Sequence, residues 1–180
     1  MLGSSLTYPN HTLARPRKAL IVVYDHVVEN GCTCHRPKEG KYMLPNDEKH
    51  QRRCEDYQHQ LYTAVLNERL YISPIFETPR NALSVGTGTM IWAIEFGLKH
   101  PDAHVFSIDL SPIQPDYAPP SVAFEICDAK DEWIFRQPFD FIHMRAMATC
   151  FKNPRTVLAE VCHSLAPGGF IELRDLILPF

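Results

Sequence analysis

No run of this 180-residue sequence reaches the ~20 consecutive apolar residues that a membrane span needs, and Ala19 to Tyr24 is too short for the apolar core of a signal peptide. No membrane partner is expected, and an intracellular protein, cytoplasmic or nuclear, is. A surplus of one charge is missing as well. Lys and Arg number 18 against 21 Asp and Glu, a net charge of −3, and Arg15, Arg17, Lys18, Arg52 and Arg53 stand in small scattered groups. That balance gives no basic footprint for nucleic acid, and solvated surface is the better reading of those groups. The six cysteines, Cys32, Cys34, Cys54, Cys127, Cys150 and Cys162, have no paired spacing, so neither a zinc ribbon nor a disulfide framework is indicated. Cys32-x-Cys34-His35 comes nearest to a soft ligand set, but a single intervening residue is not the usual zinc spacing, and no metal is expected. Repeats and low-complexity tracts are absent. With 45% hydrophobic residues, a chain of this length can bury one core, and two domains are not expected.

Glycine is scarce, at eight residues, and two of them sit where they carry the most information. In Ala82-Leu83-Ser84-Val85-Gly86-Thr87-Gly88-Thr89-Met90-Ile91-Trp92 a short apolar strand runs into Gly86 and Gly88 and then into a helix, Thr89 to about Leu98. Paired glycines let the backbone turn sharply and approach a ligand, and the helix start offers free N–H groups. The dinucleotide fingerprint itself fails, because Ile91 stands where G-x-G-x-x-G needs glycine and Met90 interrupts G-x-G-x-G. The segments downstream strengthen the signal. A strand from Ala103 to Ile108 ends at Asp109, about twenty residues on, where a carboxylate can accept hydrogen bonds from two ribose hydroxyls. Strands at Ser121 to Ile126 and Phe139 to His143 end at Asp128-Ala129 and Met144-Arg145, which places all three endings on the carboxyl edge where open parallel sheets bind ligands.

These residues resemble the fungal LaeA-like methyltransferases. The likeness rests on Lys41-Tyr42-Met43-Leu44-Pro45-Asn46-Asp47-Glu48, Asp56-Tyr57-Gln58-His59, Gly86-Thr87-Gly88-Thr89 with Ile91-Trp92-Ala93-Ile94, and His100-Pro101-Asp102-Ala103. It continues through Asp109-Leu110-Ser111-Pro112-Ile113-Gln114-Pro115, Asp131-Glu132-Trp133 and Leu165-Ala166-Pro167-Gly168-Gly169, all in order. The resemblance implies an α/β class I fold: a Rossmann-like parallel sheet with flanking helices, an N-terminal helical cap, and S-adenosylmethionine as cofactor. The residues expected to bind it are Gly86, Thr87, Gly88, Asp109, Asp128 and Ala129, with Asp128 facing the adenine amino group or, alternatively, capping a helix. Two departures from the family pattern stand out. Ser84 replaces an acid that would anchor the methionine end of the cofactor through its ammonium group or a bound water, and Met90 replaces a third glycine. The family core also continues for a further helix and two strands beyond Phe180, so this one is expected to lack its last strands.

Three segments are expected. Residues 1–18 read as a disordered tail, 19–78 as an N-terminal cap segment, and 79–180 as a shortened core that forms one compact domain with the cap. Ala19 to Glu29 reads as helix or strand without a decision, and Gly31 to Pro45 as loop. Asn46 or Asp47 is the candidate N-cap of a helix from Glu48 to Asn67 whose apolar face is Tyr57, Leu61, Val65 and Leu66. Ile113 to Pro120 reads as a surface loop, and Asn153 to Leu165 as a helix stopped by Pro167-Gly168-Gly169 before a last strand, Phe170 to Leu173.

A sulfonium methyl group is already electrophilic, so alignment of an acceptor matters more than a strong general base. No catalytic residue is singled out. His143 and Arg145 at a strand end are weighed, and Glu172, His59 and Tyr57 rank below them. Two functions stay open: a methyltransferase of fungal secondary metabolism or its regulation, acting on a small-molecule or protein acceptor, and a methyltransferase-like binding or scaffold protein without turnover. Ser84, Met90 and the missing strands point to the second; Gly86, Gly88, Asp109 and Asp128 point to the first. The last strand is expected to be an exposed edge, so self-association or a protein partner is expected there.

Overall fold

The computed structural model describes residues 26–29, 32–35, 48–75 and 78–175. The expected tail, the candidate N-cap at Asn46 or Asp47, the motif from Lys41 to Asp47 and the segment from Leu176 lie outside the described residues. In chain order the elements are β1 (His26–Glu29), β2 (Cys32–His35), α1 (Glu48–Val65), β3 (Asn81–Val85), α2 (Ile91–Lys99), β4 (His104–Asp109) and β5 (Val122–Ile126). They continue with β6 (Phe139–Arg145), a short 3-10 turn at Ala148–Cys150, α3 (Pro154–Ser164) and β7 (Leu165–Arg174).

Strands β3 to β7 form one parallel sheet in the order β5-β4-β3-β6-β7, flanked by helices, as the class I reading expects. The chain runs outward from β3 to β5 and then restarts beside β3 with β6. That reversal leaves a crevice at the carboxyl ends of the central strands. Alternation along the strands divides the packing into two layers. Leu83, Val85, Phe106, Ile108, Ile142 and Met144 turn one way and pack with Val157 and Val161 of α3. Ala82, Val105 and Phe141 turn the other way, against Trp92, Ala93 and Phe96 of α2. Each large side chain enclosed here contributes about 1.5–3 kcal/mol relative to exposure. Toward the carboxyl edge the second layer becomes polar: Ser107, Ser84, His143 and Glu172 lie side by side in register across four strands, all buried.

Several expectations need correction. Cys32–His35 is not loop but a strand, paired antiparallel with His26–Glu29; of the stretch from Ala19 to Glu29 that part alone lies within the described residues, and it is strand. The signal was Asn30-Gly31 between two β-prone runs, a favoured two-residue hairpin sequence. Helix α1 ends at Val65, and its apolar stripe faces away from the sheet: Tyr57 is 64% exposed, Leu61 50% and Val65 69%, whereas His59 and Tyr62 are buried. Hydrogen bonds from its polar face set its rotation, Glu55 accepting from the turn after β3 and His59 bridging α2 and the end of β6. Helix α2 starts two residues late, at Ile91, because Met90 is left-handed. Strand β7 begins at Leu165 and includes Pro167-Gly168-Gly169. Leu165 pairs with Phe139 and Phe170 with Phe141, so the Pro-Gly-Gly stretch is accommodated in a bulge rather than as a break. Among the described residues no helix is long and apolar enough to cross a membrane.

Candidate functional site

The turn after β3 has three left-handed residues at alternate positions, Gly86 (φ 66°), Gly88 (φ 56°) and Met90 (φ 65°). Glycine adopts that conformation freely, while a β-carbon costs ~1–2 kcal/mol. The turn is tied to the end of β4, since Gly86 N and Thr87 N both donate to Ile108 O, at 2.9 and 3.1 Å. Asp109 completes the tie: its Oδ2 accepts from Gly88 N at 2.8 Å and its Oδ1 from Ser111 N at 2.9 Å. Gln114, carried by the proline-rich loop, donates to Gly88 O at 2.7 Å and to Ser111 O at 2.8 Å. Burial pushes the Asp109 carboxyl pKa up, and the N–H groups of Ser111, Gly88 and Leu110 pull it back. Gly86, Thr87, Gly88 and Asp109 are thus brought together.

Asp128 and Ala129 follow β5 on the same edge, linked to it where Cys127 N donates to Asp109 O at 2.9 Å. Asp128 caps no helix, because none begins there. Its Oδ1 accepts from Lys130 N at 3.0 Å, closing a turn, and Ala129 O accepts from Trp133 Nε1 at 3.1 Å. Ser84 lies beneath the turn, with Oγ donating to Thr87 Oγ1 at 3.2 Å.

Two residues that the sequence reading passed over close on the glycines. Glu55 of α1 accepts from Thr89 N through Oε2 at 2.5 Å, and a β-carbon at Gly88 would stand 2.0 Å from that oxygen. Past β6, Met147 Sδ would be 2.2 Å from a β-carbon at Gly86. The cradle therefore exists only because these positions are glycine, and flexible side-chain ends of the chain itself fill it. Beside it a cleft of about 240 Å³ is lined by Asp56, Thr89, Ile91, Ile94, Ile113 and Pro115. A larger one, about 340 Å³, opens near Asn81, Asp102 and His104 at the opposite, amino edge of the sheet, away from the glycine turn and its partners.

At the ends of β6 and β7 the polar row continues. Arg145 Nη1 donates to His59 Nδ1 at 3.1 Å, so His59 carries its proton on Nε2 and donates to Glu95 Oε2 at 3.0 Å. Burial and then the Arg145 charge hold the His59 pKa below the ordinary value, with Glu95 opposing them. The Arg145 guanidinium lies 5.1 Å above the Tyr62 ring, and burial first, then Arg174, brings its pKa down to about 10. His143 is stacked on Trp92, 3.8 Å between ring centroids and 3° between planes, with Nε2 buried and without a hydrogen-bond partner. Burial, with Arg145 and Arg174 adding to it, holds its pKa well below the ordinary histidine value. Enclosed beneath Trp92, it is placed as a core group rather than as an acceptor-facing base. Glu172 is a strap: it accepts from Ile72 N at 2.9 Å, Ser73 N at 2.7 Å and Ser73 Oγ at 2.6 Å, and pairs with Arg174. Tyr57 points to solvent. Among the described residues no three His, Cys, Asp or Glu side chains converge as a metal would require, and Cys54, Cys127, Cys150 and Cys162 are not joined in disulfides.

The family model described as "Methyltransferase domain" matches residues 57–179. The chain is 40% identical over 150 residues to methyltransferase pytC of Aspergillus terreus, covering 83% of this chain and 46% of that protein. It is 35% identical over 151 residues to the protein-methionine methyltransferase laeA of Emericella nidulans, covering 82% and 40%. The chain thus spans less than half the length of these relatives. In structure it is similar to the plantazolicin methyltransferase BpumL in complex with a monoazolic desmethylPZN analogue and SAH, with TM-score 0.52 and 18% identity over 72% of this chain and 48% of that one. Together with the parallel sheet and the glycine turn tied to Asp109, these matches establish that the chain belongs to the methyltransferase-domain family.

Proposed function

We propose that this chain is the cofactor-binding part of an S-adenosylmethionine-dependent methyltransferase of fungal secondary metabolism or its regulation, working inside the cell in the cytoplasm or nucleus. The observation that carries this reading is the Asp109 carboxylate on the Gly88 N–H at the carboxyl end of β4. The cofactor supplies a methyl group already activated on sulfonium sulfur. The chain's residues bind and orient it. Gly86 and Gly88 allow close backbone approach, Thr87 belongs to the same turn, Asp109 accepts from the ribose hydroxyls, and Asp128 with Ala129 borders the adenine. Glu55 and Met147 have flexible ends that move aside as the cradle fills. The acceptor is a small molecule or a protein, and no general base is assigned.

Titration calorimetry with S-adenosylmethionine and S-adenosylhomocysteine tests the reading directly. Asp109→Ala is expected to weaken binding by about 1.5–3 kcal/mol, the usual loss for a hydrogen bond to a charged group. Equal affinity in mutant and wild type would remove Asp109 from the site. A second reading, a methyltransferase-like scaffold without turnover, is favoured by Ser84, whose hydroxyl is directed at Thr87. Failure of the wild-type chain to bind either compound would select it.

A further inference from the structure

Residues 70–73, between α1 and β3, have no regular structure and are fastened to both α2 and β7. Leu70 O accepts from Trp92 Nε1 at 2.8 Å and also from Arg174 Nη2. Two residues on, one carboxylate gathers the rest. Glu172, 5% exposed, accepts from Ile72 N, Ser73 N and Ser73 Oγ of the segment and from Arg174 Nε of its own strand. Among these donors Ser73 Oγ belongs to a hydroxyl, a group that phosphorylation turns from donor into acceptor. It stands at a reachable point. Ser73 is half-buried between Ile72, 56% exposed, and Pro74, also exposed. Pro74 biases Ser73 toward the extended backbone in which a kinase reads its substrate, and it brings no N–H that the kinase would have to satisfy. Two other serine or threonine residues precede proline. Ser111 is 3% exposed, with its N–H held by Asp109, while Thr78 is exposed at the amino-edge cleft, away from Glu172.

We propose that Ser73 is a phosphorylation site for a proline-directed serine/threonine kinase, and that phosphate there releases the 70–73 segment from Glu172. In the reaction Ser73 Oγ attacks the γ-phosphorus of ATP, the bond from that phosphorus to the oxygen bridging to the β-phosphate breaks, ADP leaves, and the hydroxyl proton passes to a base of the kinase. The product carries roughly −1.5 to −2 charge at pH 7 and has lost the proton that bound Ser73 to Glu172. Two acceptors then face each other where a 2.6 Å hydrogen bond stood, and the single charge of Arg174 balances less than half of their total. Like charges held away from water repel strongly. The segment therefore lifts, and Trp92, whose ring stacks on His143, loses the carbonyl that its indole N–H is bonded to.

The test treats the folded chain with ATP, magnesium and a cyclin-dependent or mitogen-activated kinase, and locates phosphate by mass spectrometry. Phosphate is expected on Ser73, and none on Ser111. The two tryptophans then report the consequence by NMR. Hydrogen exchange at Ile72 N, Ser73 N and Trp92 Nε1 should speed up about tenfold or more, the factor that corresponds to losing a hydrogen bond to a charged group, while Trp133 Nε1, bonded to Ala129 O, keeps its rate. Ser73→Ala leaves Thr78 open to the kinase and should exchange equally fast before and after treatment. A Ser73 that stays unmodified in the folded chain would overturn the proposal, and a peptide of residues 69–80 shows whether the fold or the sequence is what refuses the kinase. So would phosphorylated protein in which the three protons exchange no faster, or more slowly, because Arg174 would then have taken the phosphate in place of Glu172. Acceleration shared by Trp133 means that the whole domain loosens, and acceleration in treated Ser73→Ala means that another residue is responsible. Either result also overturns the proposal.

Discussion

Met90 is held left-handed and is 2% exposed, packed with Trp92 and Phe96, so two opposed effects meet at one residue. Truncation removes about 2–5 kcal/mol of packing, while a β-carbon at this φ costs ~1–2 kcal/mol. Both Met90→Gly and Met90→Ala should therefore destabilise, but glycine by about 1 kcal/mol less, the reverse of the usual order in a helix. Urea unfolding of the two variants measures the difference, and alanine proving the more stable would show that the turn relaxes. His143 gives a pH signature. Its folded pKa lies well below the ordinary value of about 6.5, so below that pH the unfolded chain binds a proton that the folded chain does not. Stability is then complete above pH ~6.5 and falls as pH drops, by up to ~1.4 kcal/mol per unit. His59, lowered in the same direction, adds to the trend. Unfolding curves from pH 5 to 7.5 should be flatter for His143→Gln than for wild type, and equal slopes would mean that His143 is already solvated. Ser84→Asp places a carboxylate beside His143 in the strand register, and the imidazole pKa, followed by NMR, should rise. At this scale the meeting of Gly86, Gly88 and Asp109 in one turn was readable from their spacing along the chain. Glu55 and Met147 were not, because each acquires its role by meeting the glycine turn from a distant element.

The elements teach the same point through α1. Tyr57, Leu61 and Val65 recur at helical spacing and read as its buried face, yet that face is exposed, and the helix is turned by contacts of its other side. Glu55 reaches Thr89, and His59 bridges Glu95 and Arg145. Periodicity records that a helix is amphipathic but not which of its faces finds partners, and hydrogen bonds to the glycine turn, α2 and the end of β6 decide it here. Leu61→Gln should thus change stability by no more than about 0.5 kcal/mol, whereas Tyr62→Ala should cost about 3–5 kcal/mol. Chemical denaturation of both checks this, and a large loss at Leu61 would mean that the stripe is covered in solution. The hairpin of β1 and β2 was legible through Asn30-Gly31 and was missed because that glycine was read as the start of a loop. The helix α3 ends at Ser164, ahead of the Pro-Gly-Gly stretch read as its stop, and β7, which starts at Leu165, takes that stretch in as a bulge.

For the molecule as a whole, the parallel sheet and its carboxyl-edge site could be read from strands alternating with helices, whereas the order in which strands lie side by side could not. Strand β7 has one sheet neighbour among the described residues, β6, and its Leu173 is 51% exposed. We expect association through this edge, seen by light scattering as a mass that rises with concentration, and expect Leu173→Lys to reduce it, since edge lysines discourage strand pairing. A constant monomer mass for wild type would show the edge to be protected already. The strand order has a further consequence, for the sequence of events in folding. Strand β3 finds β4 across the single helix α2, but reaches β6 only over more than twice that length of chain. Closing the longer loop costs more entropy before any contact offsets it. The β3-α2-β4 unit, which already contains the Gly88–Asp109 bond, should therefore assemble first, with β6 and Arg145 docking onto it afterwards. The half of the cleft that carries the glycine turn and Asp109 would then be a product of early folding, and the half that carries Arg145 a late addition.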